Sequence, residues 1–250
     1  MKSRIVVFVL LLCAQSLFSF EPSALNLEVP SNLERNSVVF ELQHRFYGDL
    51  TDDPLENLFG LDVGANVNLG LRYALLDRLE LYAGYTRLAK EYRLAASYAH
   101  HCPRLYTRAQ IDVEYFSFKI ADERNQNFYA GLALQNEPVF NAVIATVNLG
   151  YDGYNEKLGL GLGLDIGFDW EFGPIEHISL IGEYYPVLQA EEPITRPENS
   201  FTTGIRIDTY GHHFVLLVGN NWEIGNRNLM LGASSNDIRF GLNVHRLFVF

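Results

Sequence analysis

Cysteine is scarce in this chain. Its 250 residues hold two, Cys13 and Cys102, and a pair of which one sits in a leader-like stretch cannot build a disulfide framework. Long hydrophobic runs are missing too. The apolar stretch from Ile5 to Leu12 is too short to cross a bilayer as a helix, and no later segment reaches that length. Any residence in a membrane must therefore come from strands. Positive charge is in short supply: 19 Lys and Arg stand against 30 Asp and Glu, for a formal net charge of −11. That balance argues against nucleic acid as a partner.

The first residues, MKSRIVVFVLLLCAQSLFSF, place Lys2 and Arg4 before the apolar run and small residues after it. This is the layout of a secretory signal peptide. Removal is expected between positions 16 and 20, with residues 1–19 as the leader. Leu12 is too bulky for the position before a lipidated cysteine, so Cys13 is expected to leave with the leader.

What the sequence has in quantity is alternation. In EKLGLGLGLDIGFDWEF, Leu158, Leu160, Leu162, Leu164, Ile166, Phe168, Trp170 and Phe172 share one parity. Gly159, Gly161, Gly163, Asp165, Gly167, Asp169 and Glu171 share the other. A period of two is an extended strand with one apolar and one polar or small face. Its length meets the roughly 9–11 residues that a tilted strand needs to cross lipid. The glycines lack the spacing of a phosphate-binding loop; they are expected to leave room inside a barrel.

The rule repeats in SVVFELQHRF, ANVNLGLRYAL and LELYAGYT. Further strands are expected to begin near Glu91, Ala109, Gln126, Phe140, Glu176, Ser200, His212 and Asn236, with the faces of those near Ala109 and Phe140 unassigned. The total is twelve. An even number closes a barrel with both ends on one side. Joints after even-numbered strands are mostly short (76–78, 136–138, 172–175, around 211), whereas those after odd-numbered strands include 47–63, 190–199 and 221–235. The expected fold is thus an all-β, transmembrane, antiparallel up-and-down β-barrel over residues 37–250. Short turns face the periplasm and longer loops the exterior. Residues 20–36 form an N-terminal arm, in the periplasm or in the lumen. Phe248 and Phe250 fall on the lipid-facing parity of the final strand, where a terminal aromatic resembles the signal read by barrel-assembly machinery. Arg246 shares that parity, near enough to the interface for its guanidinium to reach head groups.

The phrases ELQHRF, NLFGLDVGANVNLGLRYALLDRLELYAGYTR, HISLIGEYY, GIRIDTYGHHFVLLVGN and NDIRFGLNVHRLF resemble the membrane-bound β-barrel family designated DUF5777. The resemblance implies a barrel and an outer-membrane location, and brings no activity and no catalytic residues.

The residues carry little reactive chemistry. His100, His101 and Cys102 are adjacent, and consecutive side chains point apart, so no metal site is expected. No serine–histidine arrangement stands out. Asp165 and Asp169 lie about 13 Å apart along one strand, too far for paired-carboxylate hydrolysis. The expectation is a protein without catalytic residues or cofactors. The lumen-lining candidates are Glu41, Arg45, Arg72, Glu80, Asp165, Asp169, Glu171, Arg206, Asp208, Arg239 and Asn243. Their mixed signs fit internal salt bridges somewhat better than solute selection. Two functions remain open: a small channel or transporter for a polar solute, and a closed barrel that anchors an envelope complex. Expected partners are outer-membrane lipid and lipopolysaccharide, the assembly machinery during biogenesis, and an envelope protein. Asp52, Asp53, Glu56, Glu191, Glu192 and Glu198 either solvate the loops or bridge to lipopolysaccharide through divalent cations.

Overall fold

The computed structural model describes residues 24–140, 142–188 and 198–250, with the side chains of 169–171 outside that description. The expected leader, 1–19, also lies outside it. Twelve antiparallel strands follow in order: β1 (Ser37–Phe46), β2 (Ala65–Leu76), β3 (Leu79–Thr86), β4 (Glu91–Cys102), β5 (Thr107–Ile120), β6 (Glu123–Asn136), β7 (Val143–Asp152), β8 (Lys157–Phe172), β9 (Ile175–Tyr185), β10 (Ser200–Thr209), β11 (His212–Gly219) and β12 (Arg239–Val249). Each pairs with its neighbour in sequence. β12 then pairs with β1, from Ser37 opposite Val249 to Arg45 opposite Gly241, and the sheet becomes a closed barrel. No described helix is long and apolar enough to cross a membrane.

All twelve strands begin within three residues of the sequence reading. Each of the two latest starts has a local cause. Phe140 was expected to open β7, but Val139 donates its N–H to the Val143 carbonyl and receives one in return, so the chain turns there. Pro138 lacks an N–H and cannot extend a ladder. Phe140 is left 94% exposed with a φ of 54°. Before β12, Asp237 and Ser235 bind the Arg239 guanidinium, and Leu50 takes the Ile238 carbonyl, so residues 236–238 belong to a loop.

The outer face carries Leu69, Leu71, Leu94, Val113, Leu162, Leu180, Ile205 and Leu216, all strongly exposed. On β2 and β10 the opposite parity is buried and mostly polar. Arg246, on the outer parity, donates to the Tyr210 carbonyl and to His212 Nδ1, and lies over the Phe248 ring. At the turn rim its charge is thereby paired at the end of the apolar band. The loop rim is uneven. Residues 47–64, 186–199 and 220–238 are long, while 87–90, 121–122 and 153–156 are as tight as turns. In the 121–122 turn both Ala121 and Asp122 have positive φ, the conformation that matches the twist of a two-residue hairpin.

The barrel is not hollow. Residues 24–36 run inside it, with Ala24, Leu25, Leu27, Val29 and Leu33 buried. A short helix, α1 (Asn226–Met230), dips into it from the 220–238 loop. Leu25, Leu27 and Val29 share one apolar cluster with Leu229 and Met230, and with Phe116, Phe118, Tyr129, Ile181, Tyr185, Val215 and Leu217 of the wall. The glycine stripe of β8 makes this possible. A Cβ on Gly161 would stand 2.5 Å from Leu27 Cδ2, one on Gly163 would stand 2.5 Å from Leu27 Cδ1, and one on Gly159 would stand 2.4 Å from Met230 Cβ. The room is real, and the chain's own segments fill it.

A folded barrel is expected to run differently on a gel before and after boiling. Gly163→Val is expected to destabilise the folded protein by roughly 1–3 kcal/mol through overpacking against Leu27. The same change should cost little in a chain lacking 24–35. Equal destabilisation in both backgrounds, measured by urea unfolding in micelles, would rule out the Leu27 contact as its cause.

Candidate functional site

A buried backbone must have its polar groups paired, and residues 24–36 belong to none of the twelve strands. Their partners here include wall side chains. The Glu183 carboxylate on β9 accepts the backbone N–H groups of Leu25 at 2.7 Å, Asn26 at 2.9 Å and Leu27 at 3.0 Å. Its second oxygen takes Asn26 Nδ2 and the Tyr185 hydroxyl, each at 3.0 Å. Successive N–H groups converging on one anion form a backbone nest, here closed on a carboxylate that is 4% exposed. Asn148 on β7 holds the next residue twice. It accepts the Glu28 N–H and donates to the Glu28 carbonyl, both at 2.9 Å. Its oxygen also receives Asn226 Nδ2 of α1 at 2.9 Å, so one side chain ties both inserted elements together. Gln110 accepts from Ser31 farther along.

The inward charges lie in clusters. Arg72 meets Glu28 at 3.2 Å, Glu41 at 3.1 Å and Glu80 at 3.4 Å. Arg45 donates to Asn243 and to the Asn26 side chain, each at 2.7 Å, and Asn243 donates to the Leu25 carbonyl. Arg206 meets Asp165 and Asp208, each at 3.2 Å. Arg239 is apart from these. It sits at the loop rim, bound to the carbonyls of Tyr47, Asn220 and Asp237. The side chains of Asp169 and Glu171 lie outside the described residues.

Several residues of the interior were absent from the sequence reading. Arg227 of α1 meets Glu91, and Asp152 at 3.0 Å, with its guanidinium 3.8 Å from the Phe116 ring centroid. Arg93 lies 3.9 Å from both Glu91 and Glu114. Strand parity alone would have turned Arg93 and Glu183 inward. Nothing in the pattern marks Arg227 as an interior residue, because it sits in a loop.

One cluster has the residue types of a hydrolytic triad. Ser179 Oγ is 3.4 Å from His177 Nδ1, and Asp208 is 3.3 Å from the same nitrogen. A relay needs the nucleophile and the orienting carboxylate on opposite ring nitrogens. Here they share one, and Ser179 is fully buried and takes a hydrogen bond from Arg206. The cluster is an ion-pair network that holds β9, β10 and β11 together, with His213 3.5 Å from the Asp208 carboxylate. At the turn rim, His100 and His101 are both exposed near the end of β4, and His101 contacts Glu137. Among the described residues no group of three or more His, Cys, Asp or Glu is placed to hold a metal ion.

Two cavities lie on either side of the inserted segments. One, of about 760 Å³, opens at the turn rim between Pro30, Arg78, His101, Glu137, Asp165 and His177. The other, of about 570 Å³, opens at the loop rim between Glu91, Tyr154, Trp222, Arg227 and Asn228. They share no lining residue.

No curated protein matches the sequence significantly. Among solved structures, LpxR from Salmonella typhimurium is 11% identical with a TM-score of 0.46, over 86% of this chain and all of its own. The Acinetobacter baumannii outer membrane protein Omp33 is 9% identical with a TM-score of 0.44, over 87% of this chain and all of its own. The NanC porin is 4% identical with a TM-score of 0.46, over 84% and 99%. The model of the membrane-bound β-barrel domain family DUF5777 matches residues 22–102 and 141–248. The first match takes in the lumen segment and β1 to β4, the second α1 and β7 to β12, and the chain belongs to that family.

Proposed function

We propose that this protein is an outer-membrane barrel that is closed at rest and admits a small polar solute once its N-terminal segment is withdrawn. The observation that carries this reading is the hold of Glu183 on three successive backbone N–H groups. The blocking segment is bound to the wall by side chains and is continuous with β1 at one end, so it can leave without breaking a pairing among the twelve barrel strands. The wall it would uncover bears Arg72, Glu41, Glu80, Asp165 and Arg206, which become the filter. The short-turn rim faces the periplasm and the long loops face outward. Phe248 and Phe250 then serve the assembly machinery, and Asp52, Asp53 and Glu56 meet lipopolysaccharide through divalent cations.

A second reading, a permanently closed barrel that anchors an envelope complex, is favoured by the apolar cluster joining Leu25, Leu27 and Val29 to α1. Burial of each such side chain is worth roughly 1.5–3 kcal/mol. That reading expects a partner protein to co-purify in mild detergent.

Planar-bilayer recording separates the two. The intact protein is expected to give a quiet baseline with rare openings. Glu183→Gln should open more often, and deletion of residues 24–35 should leave a steady, discrete conductance. A deletion variant that is folded by gel mobility yet electrically silent would exclude the conduit.

In that deletion background, Arg72→Gln removes a positive charge beside Glu41 and Glu80. The reversal potential in a salt gradient should therefore move toward cation selectivity. An unchanged reversal potential would deny Arg72 a filtering role.

A further inference from the structure

We propose that the loop-rim cavity is a binding site for a neutral saccharide. Its volume of about 570 Å³ falls within the range of small-ligand sites, roughly 300–1,000 Å³. Its charged lining residues, Glu91, Glu223, Lys157 and Arg227, are balanced in sign. A cavity built this way gives no net attraction to an ion, and it favours a ligand that is polar without being charged.

The aromatic lining is fixed in advance. Trp222 has the Arg239 guanidinium 4.3 Å from its ring centroid and Tyr47 against its edge. Its carbonyl is held by Asn66 at 3.0 Å. Arg239 is in turn pinned by three backbone carbonyls, Ser235 and Asp237. The indole is nonetheless only half-buried, and it lines the cavity. Tyr154 stands edge-on to Phe118 at 4.9 Å, with its N–H bound to Asp152, and remains 38% exposed. Rigid rings that are held in place and still exposed suit the apolar C–H face of a sugar, because little conformational freedom is lost on contact.

The floor supplies the polar half. The amides of Asn66, Asn155 and Asn228 and the hydroxyl of Thr86 line the cavity. Neutral groups that both donate and accept match a hydroxyl, which does the same. None of the lining residues comes from segment 24–36. Gating and sugar binding can therefore fail independently.

The test uses the full-length protein refolded in lauryldimethylamine oxide, a detergent without a sugar head group. Trp170→Phe leaves Trp222 as the single tryptophan. Titration with cellobiose, lactose, maltotriose and mannotriose should give a saturable fluorescence change for at least one of them. Tyr154→Ala should weaken that binding about tenfold or more, with gel mobility unchanged. By calorimetry, Trp222→Ala should weaken it likewise and Trp222→Phe less. If Trp222→Ala does not fold, Tyr154→Ala decides. No saturable response to any of the four sugars would overturn the assignment. So would undiminished affinity in Tyr154→Ala, or equal affinity for the anionic sugar N-acetylneuraminic acid.

Discussion

In lipid, a backbone N–H or C=O without a partner costs several kcal/mol, and the rest of this molecule follows from that constraint. It forces β12 onto β1, because an open edge could not survive in hydrocarbon. Closure of twelve strands, rather than eight, encloses more space than wall side chains fill. The space is taken by residues 24–36 and α1, and the constraint then returns in a second form. The inserted segment brings its own backbone into the interior, away from water. Glu183, Asn148, Gln110 and Asn243 are on the wall to receive it. The polar interior answers first to this internal demand.

Much of the barrel was legible because its two faces meet two solvents. β8 alternates over its whole length, since leucines face lipid on one side and glycines face the lumen on the other. The faces of β5 were not readable. Phe116 and Phe118 turn inward, against the outward-apolar rule, because Arg227 and the inner cluster lie over them. Ile181 and Tyr185 on β9 break the rule for the same reason. Inward apolar residues on a barrel strand therefore mark where the lumen is filled. The filling itself has no period to read. Residues 24–36 form no strand or helix, and α1 has five residues in a loop of nineteen.

The mixed signs of the lumen charges were legible, and their pairing was not. Arg72 sits on β2, with Glu41 and Glu80 on the adjoining strands β1 and β3, so two of its partners follow from register once the strands are aligned. The third, Glu28, comes from the inserted segment and follows from nothing local. The same holds for Glu91, whose partner Arg227 is 136 residues away. Charges that a pattern reading would assign to a pore are in part the sockets of a plug.

The two inserted elements are held by opposite means. α1 brings a charge into the interior. Its Arg227 is paired with Glu91 and Asp152, and withdrawing it would break both pairs and leave Glu91 only Arg93 at 3.9 Å, when breaking one buried pair costs roughly 3–5 kcal/mol. It is also tethered at both ends, to β11 and β12. The N-terminal segment brings mostly neutral backbone to a charge already on the wall, and it is continuous with the barrel only at Ser37. Its departure would free one strongly held carboxylate, Glu183, and release Glu28 from Arg72, which keeps Glu41 and Glu80. The N-terminal segment is thus joined to the barrel at one point, whereas α1 is fixed on both sides and forms the base of the loop-rim cavity.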